Sequence, residues 1–179
     1  AWDLDYSLPP FRFLALKLEG ELINPNHGWR GKLEIHDEQE CHILEGDDPA
    51  ELITLLNNHL HRQDPDLIFT DWGDSFILPQ LRRIAQKGNI PLGFNRDSRM
   101  EIAGRKPRSY ASYGRIVYAA GAQTLFGRWH IDRQNSFILN EAGLDGLFEQ
   151  ARVTKLPVQY MARTSTGTGI TSMQLEMAY

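Results

Sequence analysis

Alternating and helical runs of apolar residues divide the chain into predicted strands and helices. Phe11–Glu19 alternates between two faces that are both largely apolar, a pattern typical of a central strand. Two shorter apolar runs, Lys32–His36 and Cys41–Glu45, flank a polar turn and predict a β-hairpin. After them, Asp47-Asp48-Pro49 is a helix-start signal, and the amphipathic helix that follows is expected to end near Arg62.

The middle of the chain predicts a strand, a polar turn and a second helix. Asp66–Thr70 is a short apolar run of the kind found in buried strands. A turn with one glycine and two carboxylates follows, and then apolar residues recur at helical spacing. Asp74 or Ser75 can accept from the free N–H groups of the first helical turn. Pro79 is tolerated if the helix begins near Leu78. Because ligands bind at the carboxyl ends of strands in α/β sheets, this turn is a candidate site.

The remaining pattern completes an α/β order of elements. Short strands are predicted over Ile90–Phe94, Arg115–Ala120 and Leu125–Ile131. Ser136–Thr154 is mostly helical, and Pro157 follows its end. Three initial strands, a helix, a strand, a helix, further strands and a last helix predict an α/β fold with a mixed sheet flanked by helices.

Composition is that of a soluble globular domain. The chain has 179 residues, 41% hydrophobic and 23% charged, and one domain is the simplest expectation. No apolar run approaches the roughly 20 residues of a membrane helix, and no signal peptide is evident. Cys41 is the single cysteine, which excludes an internal disulfide and favours a reducing, cytoplasmic location. No zinc site is predicted.

The net charge of −4 is unevenly distributed along the chain. Residues 1–66 hold 5 Lys/Arg and 14 Asp/Glu, whereas residues 67–179 hold 14 and 9. Within the basic part, cations are interleaved with Tyr110 and Tyr113. These cations are Arg96, Arg99, Arg105, Lys106 and Arg108, with Arg115 close by. Such a segment can hold a single nucleic-acid strand through phosphates and stacking, or it can simply be a solvated loop.

Two stretches of the sequence resemble the 3′–5′ exonuclease domain of family B DNA polymerases. Asp64-Pro65-Asp66, the predicted strand and Phe76-Ile77-Leu78-Pro79-Gln80-Leu81 follow the order of one exonuclease motif. Arg163-Thr164-Ser165-Thr166-Gly167 looks like the segment that joins the exonuclease to the polymerase palm. The resemblance covers about residues 11–179 and implies a ribonuclease H-like fold.

The resemblance also implies a division of the chain. Residues 1–10 would be a leader, residues 11–160 the exonuclease-like domain, and residues 161–179 a linker towards a palm domain that is not part of this sequence. The parent protein would be a DNA-directed DNA polymerase, and the partners would be DNA, single-stranded in the main, and the remaining polymerase domains. No membrane partner is expected.

The carboxylates that the family uses to bind metal are replaced in this sequence. Two-metal nucleases need several carboxylates that converge on two ions. Lys17-Leu18-Glu19 stands where the family has Asp-x-Glu, and Ile77 stands where it has an Asp after Phe. For the third motif, Tyr-x-x-x-Asp, Phe137–Glu141 keeps the spacing but lacks the Tyr, and Arg128–Asp132 keeps it with Arg in place of Tyr. The resemblance therefore implies a domain without nuclease activity and without a metal cofactor.

Three functions remain open from the sequence. In the first, an inactive domain binds single-stranded DNA, and the candidate contacts are Lys17, Phe76, Arg105, Lys106, Arg108 and Arg163. In the second, a rearranged Mg²⁺-dependent exonuclease site is built from Glu19, Asp71, Asp74 and Glu141. In the third, the domain is a structural or protein-interaction module that touches no DNA.

Overall fold

The computed structural model of the chain describes residues 8–20, 25, 29, 31–37, 40–112 and 114–178. Its elements in chain order are β1 (Phe13–Leu18), β2 (Leu33–His36), β3 (Cys41–Leu44), α1 (Pro49–Gln63), β4 (Leu67–Thr70), a π-helical turn (Gly73–Ile77), α2 (Leu78–Gly88), β5 (Ala103–Arg105), β6 (Arg108–Ser112), β7 (Arg115–Ala119), β8 (Ala122–Thr124), β9 (Trp129–Asp132), a 3-10 turn (Arg133–Asn135), α3 (Phe137–Thr154), α4 (Val158–Met161) and α5 (Thr166–Ala178).

Five of the strands form one mixed sheet in the order β3-β2-β1-β4-β9. β1 is antiparallel to β2 and parallel to β4, and β4 is parallel to β9. The predicted hairpin, β2 with β3, lies at the outer side of the sheet. The mixed α/β sheet of ribonuclease H-like type is therefore confirmed, and so is the central position of β1.

Side chains of the sheet pack into a separate hydrophobic core on each face. On one face, Leu14, Leu16 and Ile68 pack with the apolar side chains of α1 and α2. On the other face, Leu67 and Ile131 pack with the buried side of α3. Because β1 and β4 are covered on both sides, their sequences are nearly continuous in apolar residues.

Both predicted helices in the first half are present, and each has a proline in its first turn. Asp48 caps α1 by accepting hydrogen bonds from the backbone N–H groups of Ala50 and Glu51, at 2.7 and 2.9 Å. α2 begins at Leu78, which places Pro79 in its first turn, where a missing N–H costs nothing. Asp74 does not cap this helix, since its carboxylate is engaged elsewhere.

The predicted strand over Ile90–Phe94 is wrong. This segment is irregular, and its backbone is held by a side chain rather than by a neighbouring strand. The Asn57 amide donates to the Pro91 carbonyl and accepts from the Gly93 N–H, both at 2.7 Å. An amide from α1 thus replaces the strand partner that an apolar run would otherwise need.

The basic segment and the last predicted helix also differ from their expectations. The segment is not a loop, since β5 pairs with β8 and β6 pairs with β7 as two small antiparallel ladders. The strand expected from Leu125 begins only at Trp129. α3 follows its Ser136 N-cap as predicted, but it is kinked at Gly143, whose φ of 67° only glycine adopts readily.

Some sequence features lie outside the described residues. These are most of the leader, most of the turn before Lys32, Tyr113, Tyr179 and the side chain of Arg115. Among the helices that the structure describes, none combines the length and the apolar character needed to cross a bilayer.

Candidate nucleic-acid interface

The parallel strands β1, β4 and β9 end side by side at one edge of the sheet, which we call the carboxyl edge. Their register aligns Leu16 with Thr70, and Thr70 with Asp132. Lys17 and Glu19 lie on one face at the end of β1, because side chains two residues apart share a strand face. This is the edge at which the sequence predicts a site.

Asp71 is shared by two cations at the carboxyl edge. The Lys17 ammonium lies 3.8 Å from Asp71 Oδ2, and the Arg133 guanidinium lies 3.9 Å from the same oxygen. Arg133 also lies over the ring of Phe69, with its guanidinium carbon 5.1 Å from the ring centroid. Two cations thus lie near the single carboxylate of Asp71, which favours the approach of a phosphate group.

Asp74 is buried and paired with Arg163. Their side chains are only 1% and 4% exposed. Arg163 donates from Nε to Asp74 Oδ2 at 2.7 Å and from Nη2 to Oδ1 at 2.9 Å. The Asn135 amide and the Gln123 N–H donate to the same carboxylate, at 2.8 and 2.7 Å. Burial alone would raise the pKa of Asp74, but the hydrogen bonds and charge of Arg163 outweigh it and hold that pKa below its usual range.

Asp132 is a second buried carboxylate, placed by the backbone rather than by a cation. It accepts hydrogen bonds from the N–H groups of Trp72, Asp74 and Gln134 at 3.2, 2.8 and 3.1 Å. Burial raises its pKa to about 6, and the nearby Asp74 carboxylate acts in the same direction. Asp132 therefore fixes the turn after β4 without offering a free oxygen to solvent.

His130 is fully buried beneath this turn and is neutral. Its Nδ1 lies 2.7 Å from the Gln123 carbonyl, and its Nε2 lies 2.8 Å from Thr70 Oγ1. A neutral ring that donates from Nδ1 and accepts the Thr70 hydroxyl at Nε2 satisfies both groups. Burial and the positive charge of Arg163 lower the pKa of His130 to about 4.

The backbone approaches this buried network closely at Gly73. A Cβ atom at this position would lie 1.9 Å from Thr70 Oγ1 and 2.5 Å from His130 Nε2. The preceding residue, Trp72, has a φ of 72°. These features form the π-helical turn that brings the Asp74 N–H to Asp132, and they explain why a glycine stands in the turn.

The carboxyl edge does not fit a pair of divalent metal ions. Asp71 is paired with Lys17 and Arg133, and both oxygens of Asp74 are bonded to Arg163. Within the part of the chain that the structure describes, no group of three or more His, Cys, Asp or Glu side chains is arranged to hold a metal ion.

The other sequence-predicted residues lie in different surroundings. Glu19 lies beyond the end of β1 and is half-buried, whereas Glu141 is exposed on α3. The Phe76 ring packs edge-on against Trp29, with 5.6 Å between ring centroids, beside the core under α2. Arg163 is a buried partner of Asp74, which corrects the expectation that it contacts DNA phosphates on the surface.

Arg105, Lys106 and Arg108 are exposed on a basic arm, which comprises β5, β6, β7 and β8. Arg108 lies 5.8 Å from the ring centroid of Tyr110, a side chain that is 47% exposed. β8 anchors this arm at the carboxyl edge, because Gln123 donates its N–H to Asp74 and Gly121 accepts from the Asn135 amide. The arm that carries the exposed cations is therefore attached at the same end of the sheet as Lys17 and Arg133.

Comparison with known proteins gives one kind of match. No protein-family model and no curated protein sequence matches the chain. Solved structures do, and 64 of their chains match. The chain is similar to part of a family B DNA polymerase. That enzyme, from the hyperthermophilic archaeon Pyrobaculum calidifontis, aligns with 98% of this chain at a TM-score of 0.61 and 18% sequence identity.

The match with the Pyrobaculum polymerase shows the fold of this chain. The chain spans 30% of the length of that polymerase, so the activity of the whole enzyme does not transfer with the fold. The match agrees with the ribonuclease H-like sheet described above.

The sequence did not indicate the partners of the predicted carboxylates. The available signal for these partners is the presence of polar residues in and after the short strand WHID. His130 lies within that strand, and Arg133 and Asn135 follow it. Asp74 and Arg163 are 89 residues apart, and only the folded chain brings them together.

Proposed function

We propose that this chain is an exonuclease-like domain that lacks nuclease activity and binds single-stranded DNA without sequence preference. The observation that carries the proposal is the pairing of Asp71 with Lys17 and Arg133 at the carboxyl edge. A nuclease of this fold needs anionic oxygens at that edge, whereas a phosphate binder needs cations.

The likeness to a family B DNA polymerase supports a wider context. We propose that the chain is a module of a longer polymerase-like protein, with a domain over residues 11–160 and a connection to further domains over residues 161–179. The fold match across 98% of this chain and 30% of the polymerase supports this arrangement. In that context the DNA strand would be positioned by this module and not cut by it.

The nuclease part of the proposal is tested by the release of nucleotides from end-labelled single-stranded DNA with Mg²⁺ or Mn²⁺. We expect no release with either metal, because Asp74 is held by Arg163 and Asp71 lies beside Lys17 and Arg133. The rearranged site built from Glu19, Asp71, Asp74 and Glu141 predicts the opposite result. Metal-dependent release that is lost in Glu19→Ala would contradict our proposal and support that site.

A protein-interaction module is the second candidate, and the exposed side of the β6–β7 ladder favours it. Ile116 and Tyr118 are 83% and 67% exposed there. Large apolar side chains that face solvent together are typical of interaction surfaces. Absence of DNA binding at every salt concentration, combined with a normal fold, would favour this second function.

A further inference from the structure

A large open cavity begins at the end of the sheet opposite the carboxyl edge, where Asp64 and Arg128 precede β4 and β9. It has a volume of about 1110 Å³ and lies between the ends of α1 and α2 and the irregular segment 89–102. Its charged lining residues are Asp64, Arg82, Arg96, Glu101 and Arg128, together with His61. Cavities of this size accommodate ligands as large as a nucleotide.

Arg128, on the wall of this cavity, has unused hydrogen-bond donors. Its side chain is only 5% exposed, and Nη2 donates to Asp64 Oδ1 at 3.3 Å. Neither Nε nor Nη1 has an acceptor among the described residues, and neither reaches solvent. A buried guanidinium with unsatisfied donors costs free energy. An anion in the cavity would supply acceptors to Arg128 if the side chain turned towards it, and this gain would favour binding.

The neighbouring carboxylates are already shared among other arginines. Asp64 also accepts from Arg12 Nη2 at 2.8 Å and from Arg96 Nε at 2.7 Å, and Arg96 bonds Asp66 as well. Burial and the repulsion by Arg96 lower the pKa of Arg128, although an arginine stays charged at neutral pH. The guanidiniums of Arg12, Arg96 and Arg128 thus compete for Asp64 and Asp66. Arg128 makes the longest hydrogen bond to them, at 3.3 Å.

Arg82 is a second cation that could turn towards a ligand. It donates to Gln123 Oε1 at 3.5 Å and lies 4.0 Å from Glu101, so both contacts are loose. The carboxyl ends of α1 and α2 also face this cavity, and their partial negative charge opposes the binding of an anion. Part of each last turn is satisfied internally, since Asp64 N–H donates to the Leu60 carbonyl and Asn89 N–H donates to the carbonyls of Ala85 and Gln86.

We propose that this cavity binds a phosphate group, carried either by a free mononucleotide or by a DNA end, with Arg128 as its main cation and Arg82 as a second. A phosphate supplies several acceptor oxygens at once and matches the surplus of guanidinium groups. The volume exceeds what a carboxylate alone would fill and leaves space for the nucleoside. This inference does not depend on the proposed function at the carboxyl edge.

The test is calorimetric titration of the full chain with inorganic phosphate, with deoxyadenosine monophosphate and with deoxyadenosine. We expect both phosphate-bearing probes to bind and deoxyadenosine not to bind. Arg128→Gln should weaken phosphate binding by about tenfold or more, since charged hydrogen bonds are lost. The matched control is Arg99→Gln, because Arg99 is 87% exposed and does not line the cavity.

If Arg128→Gln does not fold, as judged by circular dichroism, Arg82→Gln at the cavity wall takes its place, with the same expected direction. No binding of either phosphate probe to the wild-type chain would overturn the proposal. So would equal affinity in the wild type and in both cavity variants.

Oligonucleotides identify the source of the phosphate. Competition by a 5′-phosphorylated strand but not by its unphosphorylated counterpart supports a DNA end, and competition by neither supports a free nucleotide. Replacement of Arg105, Lys106 and Arg108 by Ala should leave the affinity for deoxyadenosine monophosphate unchanged. Loss of phosphate binding at the cavity and loss of DNA binding by the basic arm are therefore measured independently.

Discussion

At the scale of single residues, the Asp74–Arg163 pair decides what the turn after β4 can do. The turn carries a carboxylate at the carboxyl edge of the sheet, but the guanidinium occupies both of its oxygens. Bidentate pairs of this kind are strong and geometrically specific. We therefore regard Asp74 as a residue that fixes the fold of the turn.

Asp74→Ala should destabilise the chain by about 3–5 kcal/mol, because it leaves the Arg163 charge buried and unpaired. Asp145→Ala, at an exposed position of α3, serves as the control and should change the stability by no more than about 0.5 kcal/mol. The measurement is urea unfolding of both variants. Equal, small effects would show that the pair does not hold the turn.

His130 should make the stability of the chain depend on pH. Its pKa in the folded chain is lowered from 6.5 to about 4, so between these values the unfolded chain takes up a proton that the folded chain does not. Stability from this group is present above about pH 6.5 and is lost as the pH falls towards 4. Asp132, with its pKa raised to about 6, acts in the opposite direction below that pH.

His130→Gln isolates the histidine contribution, because Asp132 is kept. We expect the wild type to be more stable than the variant at pH 7, and the difference in unfolding free energy to shrink as the pH is lowered to 4. Unfolding curves at several pH values measure this difference. A difference that stays constant over this range would contradict a neutral, buried His130.

At the scale of elements, the basic arm is the part of the molecule that is best placed to hold DNA. β8 ties it to the carboxyl edge through Gln123, and its cations Arg105, Lys106 and Arg108 face solvent. Its strands pair with each other and lie outside the main sheet. Replacement of these three cations should therefore leave the fold intact.

The triple replacement of Arg105, Lys106 and Arg108 by Ala should lower both the affinity for single-stranded DNA and its salt dependence. Each lost phosphate contact removes about 0.7 from the slope of log K against log salt, so the slope should fall by up to about two. The control, Arg83, Lys87 and Lys155 to Ala, removes the same charge from exposed positions on α2 and directly after α3. Equal loss in both variants would point to net charge alone.

Local patterns predicted the elements that are stabilised locally. β1, the β2–β3 hairpin, α1 and the start of α2 follow directly from alternation, turn residues and caps. The strand expected over Ile90–Phe94 failed because the amide of Asn57, more than thirty residues away, holds that backbone. A pattern within one segment carries no information on such a partner.

The same limit applies to the site. The family resemblance indicated Lys17, and their position after a strand indicated Asp71 and Asp74; the structure places all three at the carboxyl edge. The sequence assigned Asp74 the wrong partner, a helix end, because a carboxylate before a helix has the same pattern whether it caps or forms an ion pair. Arg163 was expected on the surface, and only the fold shows that it is buried.

At the scale of the whole molecule, cations are present at both ends of the sheet. The carboxyl edge presents Lys17 and Arg133, and the opposite cavity presents Arg82 and Arg128. The net charge of the chain is nevertheless −4. Attraction to nucleic acid would therefore arise from local clusters and should weaken strongly as salt is added.

The affinity of the wild-type chain for single-stranded DNA at two salt concentrations tests the central claim most directly. At about 50 and about 200 mM salt, we expect binding that weakens steeply, because bound counterions are released by each phosphate contact. Fluorescence anisotropy of a labelled strand of mixed sequence is a suitable readout. Absence of binding at both salt concentrations, or an affinity that does not change between them, would contradict a domain that holds DNA through its phosphates.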